Sequence, residues 1–99
     1  MPKLYEYLGM IFLFYSRDHL PMHLHVRYQE CEEVAELIFT KQQLIRIRWR
    51  SAPGFSDLPP RKKRQAEELI RSRHQDISMK WAIFFNTGKR SPPEQITEL

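Results

Sequence analysis

The hydrophobic pattern changes its period once, near the middle of the chain. "GMIFLFYS" (Gly9–Ser16) is a continuous apolar run rich in aromatics, which predicts a strand covered on both faces. "MHLHVRY" alternates, with Met22, Leu24, Val26 and Tyr28 on one side and His23, His25 and Arg27 on the other. "EVAELIF" (Glu33–Phe39) predicts a third strand. In "LIRIRWRS" (Leu44–Ser51), Ile45, Ile47 and Trp49 alternate with Arg46, Arg48 and Arg50. Connections of three to five residues between these runs point to an antiparallel meander.

After the break "SAPGFSDLPP" (Ser51–Pro60) the period becomes helical. Ala66, Leu69, Ile70, Ile77, Trp81, Phe84 and Phe85 form one apolar stripe. Pro60 suits the first helical position and Gly88 a helix stop, so a helix over Pro60–Thr87 is predicted. At 1.5 Å per residue it would run about 42 Å, long for a small domain, so a bend is expected near Arg73–Ser78, where the stripe turns polar. Trp81, Phe84, Phe85 and Trp49 read as core. Residues 89–99, with Pro92-Pro93 and no apolar period, read as a tail after a single domain over residues 1–88. The fold class expected is α+β: a four-stranded antiparallel meander sheet followed by a long or bent C-terminal helix packed on one face.

Composition narrows the setting. Ninety-nine residues, 41% hydrophobic and 28% charged, describe one ordinary globular domain. No apolar run approaches the roughly 20 residues of a membrane helix. The N-terminus lacks the pattern of a secretory signal, and the single cysteine, Cys31, excludes an internal disulfide. A cytoplasmic protein without a membrane role is expected. Its net charge of +4 is concentrated: Lys41–Arg73 holds ten Lys or Arg against three Asp or Glu. Such a basic middle fits an anionic partner, nucleic acid being the commonest, or simply a solvated positive surface.

Three of the four histidines fall within seven positions, in "RDHLPMHLHVRY". His23 and His25, two apart on a strand, project side by side with about 6.8 Å between Cα atoms. His19 and Asp18 lie on the loop leading in. Three readings follow. His19, His23 and His25 are candidate ligands of a divalent metal such as zinc, with Asp18 an alternative third ligand. Alternatively the imidazoles share acid and base roles on a phosphodiester, with an arginine face binding phosphate. The third reading is structural, with the histidines pairing carboxylates such as Glu36 or lining a subunit contact. Val34 and Ile38 share a face with Glu36, so apolar surface beside the histidines points to a covering partner, a second copy included.

Arg61, Lys62, Lys63 and Arg64 occupy the first turn of the predicted helix, where the backbone N–H groups disfavour cations by about 0.3–1 kcal/mol each. Four cations placed there suggest a bound anion such as phosphate, or else a solvated face.

The segment Asp18-His19-Leu20-Pro21-Met22-His23-Leu24-His25-Val26 resembles the signature D-H-x-P-x-H-x-H-V of the small bacterial proteins of domain-of-unknown-function family 4160. Further agreement lies in Met1-Pro2, in Leu58-Pro59-Pro60-Arg61 at the helix start and in Trp81. The resemblance covers roughly residues 1–85. Met22 and Leu24 depart from the usual proline and phenylalanine, and Thr40–Ser56 is longer and richer in arginine. The resemblance implies a sheet-plus-helix fold, candidate functional residues at Asp18, His19, His23 and His25, and a two-gene setting similar to toxin–antitoxin pairs. The expected function is nucleic-acid binding, with RNA cleavage as an extension. Asp18, His19, His23 and His25 would form the catalytic set, with Arg46, Arg48, Arg50, Arg61, Lys62, Lys63 and Arg64 holding phosphates. The alternative is a non-catalytic module that binds metal or protein through the histidine face. Expected partners are nucleic acid, a small antitoxin-like protein, and a second copy in a homodimer.

Overall fold

The computed structural model describes residues 3–15 and 22–99. The chain forms β1 (Lys3–Tyr7), β2 (Met10–Leu13), β3 (His23–Tyr28), β4 (Cys31–Thr40), β5 (Gln43–Ser51), α1 (Pro60–Thr87) and β6 (Glu94–Ile96). One helix packs on one face of a sheet, as the pattern predicts. The sheet itself differs: it has six strands in the order β5-β4-β3-β2-β1-β6, antiparallel except for the parallel pair β1–β6, rather than four antiparallel strands.

Both extra strands have a physical cause. The run read as a strand over Gly9–Ser16 holds β2, and β1, which was not read, precedes it across Leu8-Gly9, a two-residue turn with φ of 50° and 81°. A leucine in left-handed conformation carries no turn signature in the sequence. The β3–β4 and β4–β5 hairpins also use two-residue connections, Gln29-Glu30 and Lys41-Gln42, shorter than expected. In the segment read as a tail, Glu94–Ile96 pairs with Tyr5–Tyr7, and Ile96 joins the core. Three residues with a single apolar side chain give no period to read. Lys80 anchors this strand to α1, its Nζ lying 2.8 Å from Glu94 and 3.0 Å from Asp76. The Tyr5 hydroxyl donates to Asp76 at 2.5 Å.

The helix begins and ends where proline and glycine place it. Pro60 stands at its start, and Gly88, at φ 72°, caps the end by donating its N–H to the Phe84 carbonyl. Ala66, Leu69, Ile70 and Ile77 are buried against Tyr5, Phe12, Leu24, Val26, Ala35 and Leu37. Each large aliphatic side chain so buried stabilises the fold by roughly 1.5–3 kcal/mol. One side of the β5 pattern shifts. Ile38 pairs with Arg46 but Phe39 with Leu44, so Ile45 is the extra residue of a bulge and is 57% exposed, while Leu44 packs on the core in its place. Among the described residues no helix is long and apolar enough to cross a membrane.

Candidate functional site

Strand register lays the face opposite α1 out in transverse rows. His23 faces Glu36, which faces Arg48; Leu13 faces His25, then Val34, then Arg50; Ile11 faces Arg27, then Glu32. Opposed residues in neighbouring strands project to the same side. The histidines and Arg46, Arg48 and Arg50 therefore share one face, with β4 between them. Strands lie about 4.8 Å apart, so each histidine sits about 10 Å from the arginine of its row. His74, the fourth histidine, lies on α1 against Phe39 and takes no part.

The centre of this face is buried. His23 is 8% exposed, His25 9% and Glu32 2%, and Leu13 and Val34 are buried beside them. Glu32 collects three side chains. Arg27 Nε donates to its Oε1 at 2.8 Å, Tyr15 donates its hydroxyl hydrogen at 3.1 Å to Oε2, and His25 Nδ1 lies 3.2 Å from Oε2. Arg27 Nη2 also donates to the Tyr15 oxygen at 3.0 Å. A carboxylate accepts, so Nδ1 of His25 carries the hydrogen in this pair. Tyr15 meets the His25 ring edge-on, with centroids 3.9 Å apart, and the His23 and His25 ring centroids are 5.6 Å apart. Burial, and then the bond to Glu32, raises the Tyr15 hydroxyl above its usual range, so it stays a donor at neutral pH. The bond to Glu32 raises the Arg27 guanidinium further.

Arginines border this centre. Glu36, its side chain 12% exposed, lies 3.2 Å from Arg50 Nε and 3.7 Å from Arg48 Nε. The arginine side chains are 46% and 62% exposed, so their outer nitrogens face solvent. Arg46 is exposed at the end of the row.

The second basic group lies elsewhere. Arg61–Arg64 opens α1 on the opposite side of the sheet from the arginine row, beside the edge strand β5 where Lys63 lies over the Trp49 ring. Two of its cations serve the fold. Lys63 pairs with Glu33 at 3.0 Å, and Lys62 donates to the Leu8 carbonyl at 2.8 Å and lies over the Tyr28 ring. These contacts offset the unfavourable helix-end potential. Arg61 and Arg64 are exposed.

Asp18 and His19 lie outside the described residues. Among the described residues no three His, Cys, Asp or Glu groups converge on a metal-binding arrangement, so of the three-histidine ligand set only His23 and His25 are placed. Glu32 and Tyr15 are members of the site that the sequence reading missed. A signal for Glu32 exists: a two-residue turn at Gln29-Glu30 sets Arg27 opposite Glu32, and period two places both beside His25.

A family model, the domain of unknown function DUF4160, matches residues 9–82, three quarters of the chain. The chain belongs to this family. The matched DUF4160 span holds β2–β5 and most of α1, and so the whole histidine face, but neither β1 nor β6. No curated protein and no solved structure matched the chain.

Proposed function

We propose that this protein binds single-stranded RNA through the phosphates and that its histidine pair transfers protons in phosphodiester cleavage. In this reading it works in the bacterial cytoplasm, beside a small partner protein in a toxin–antitoxin-like pair. The observation that carries the reading is the registered layout of the sheet, with Arg48 and Arg50 in the same transverse rows as His23 and His25. Guanidinium groups bind phosphate and stabilise charge that develops in the transition state. Glu32 holds the His25 ring through Nδ1, and His23 is the complementary acid. An RNA substrate supplies its own nucleophile: His25 takes the 2′-hydroxyl proton as that oxygen bonds to phosphorus. His23 protonates the departing 5′-oxygen as the P–O5′ bond breaks, leaving a 2′,3′-cyclic phosphate. Asp18 and His19, at the signature positions, would complete the set as positioning groups.

A short labelled oligouridylate tests it. Binding should weaken steeply with salt, by about 0.7 in the log–log slope for each phosphate neutralised. His23→Ala should abolish cleavage while the protein stays folded by circular dichroism, at a lower melting temperature because the ring is buried. Absence of binding at low salt would remove the reading.

The burial of His23 and His25 favours a second reading, in which this face holds a metal ion or a protein surface and catalyses nothing. Partners would then be a second copy or the small companion protein, with His19, His23 and His25 as zinc ligands. Metal content of the purified protein, and its sedimentation before and after His25→Ala, distinguish the two.

A further inference from the structure

The carboxylate of Glu36 occupies the ground between the two halves of the proposed RNA site. It faces His23 on one side and Arg48 on the other, with Arg50 Nε 3.2 Å and Arg48 Nε 3.7 Å from its oxygens. At 12% side-chain exposure it is the most deeply set member of this trio. Any phosphate reaching from the guanidinium row towards His23 must pass over this negative charge. Carboxylate and phosphate also compete for the same guanidinium donors.

We propose that Glu36 is a built-in competitor for the phosphate backbone, setting how tightly RNA is held across the sheet. The proposal rests on the RNA-binding reading above and adds a regulatory residue to it. In the free protein Glu36 neutralises part of the arginine row and holds Arg48 and Arg50 inward. Bound RNA draws them outward, and Glu36 is left as a like charge beneath the strand. Such repulsion limits affinity and favours release of product. The arginine partners are 46% and 62% exposed, so the ion pairs themselves add little to stability.

The test compares the parent with Glu36→Gln, Glu36→Asp and Glu36→Gln combined with Arg48→Ala and Arg50→Ala, titrating the labelled oligouridylate at several salt concentrations. Glu36→Gln should bind roughly tenfold tighter, with the salt slope unchanged, because the same arginines meet phosphates in both complexes. Glu36→Asp should stay close to the parent, and the triple variant should lose the gain. If the parent binds and Glu36→Gln binds equally or more weakly, Glu36 instead positions the arginines; the proposal fails and the RNA reading stands. If neither binds, both fall. If Glu36→Gln does not fold by circular dichroism, Glu36→Thr, a better strand former, takes its place under the same criteria.

Discussion

Glu32 and Glu33 are neighbours in sequence, equally buried at 2% and 3%, and they point to opposite faces of the same sheet. Glu33 turns towards the helix. It accepts the Leu58 N–H at 2.9 Å and the Lys63 ammonium at 3.0 Å, fastening the loop before α1 and the first turn of α1 to β4. Glu32 turns the other way and gathers Tyr15, His25 and Arg27. One face uses its buried charge to close the fold, and the other uses it to orient an imidazole. The same residue type at the same burial thus does two jobs, and strand alternation alone decides which.

The largest expected effect tests whether the two faces are independent. Leu69→Ala removes a fully buried side chain from the helix-side core and should cost about 2–5 kcal/mol in urea unfolding. The protein that remains folded should bind oligouridylate as before. An altered affinity in that fraction would show that the faces are coupled and would break the comparison.

A middle-sized effect separates the two glutamates. Glu33→Ala strands the Leu58 N–H and should cost about 1–3 kcal/mol without changing RNA binding or cleavage. Glu32→Ala should cost a similar amount, since Arg27 is partly exposed and can reach water. It should also lower cleavage and change its pH profile, because His25 loses the acceptor for Nδ1–H. Equal behaviour of the two variants in the RNA assays would show that Glu32 is only a structural tie.

The smallest effect belongs to pH, and it again lies on the helix side. Burial pushes the Asp76 carboxyl up, but the bonds from Tyr5 and Lys80 and the charge of Lys80 outweigh it and hold it below its usual value. A depressed carboxyl stabilises the fold above its unfolded pKa of about 3.9 and loses that contribution as pH falls through the lower folded value. Burial lowers Lys80, yet bonds to Glu94 and Asp76 leave it raised. Its contribution is complete below about 10.4 and lost as pH rises through the folded value. Tyr5, raised first by burial and then by Asp76, follows the same sign, its contribution being complete below about 10. The difference in melting temperature between the parent and Asp76→Asn should therefore be widest in the middle range, shrinking below about pH 4 and above about pH 10. A difference constant across that range would remove the tie between β1 and α1 that Tyr5 and Asp76 make.

Much of this was legible in the residues. Pro60 and Gly88 bound α1, and the alternation in "MHLHVRY" and "RIRWR" put imidazoles and guanidinium groups on the face away from the helix. Ile45 was misplaced because a bulge inserts one residue and leaves no mark in the hydrophobic pattern. β1 went unread because Lys3–Tyr7 is a short segment ahead of the apolar run, and Leu8-Gly9 carries no turn signature. The basic run at Arg61–Arg64 looked uniform, yet two of its cations spend their charge on Glu33 and the Leu8 carbonyl.

The sequence by itself determined the period of each element and therefore which side chains share a face, since side-chain direction follows from backbone geometry within a single strand or helix. Only the tertiary structure decided which residues meet across strands: Glu32 with His25 and Tyr15, Glu36 with Arg48 and Arg50, and Glu94 with Lys80. Those pairings depend on register, turn length and strand order. Such quantities are set by the balance of contacts over the whole sheet, and no local stretch of sequence carries them.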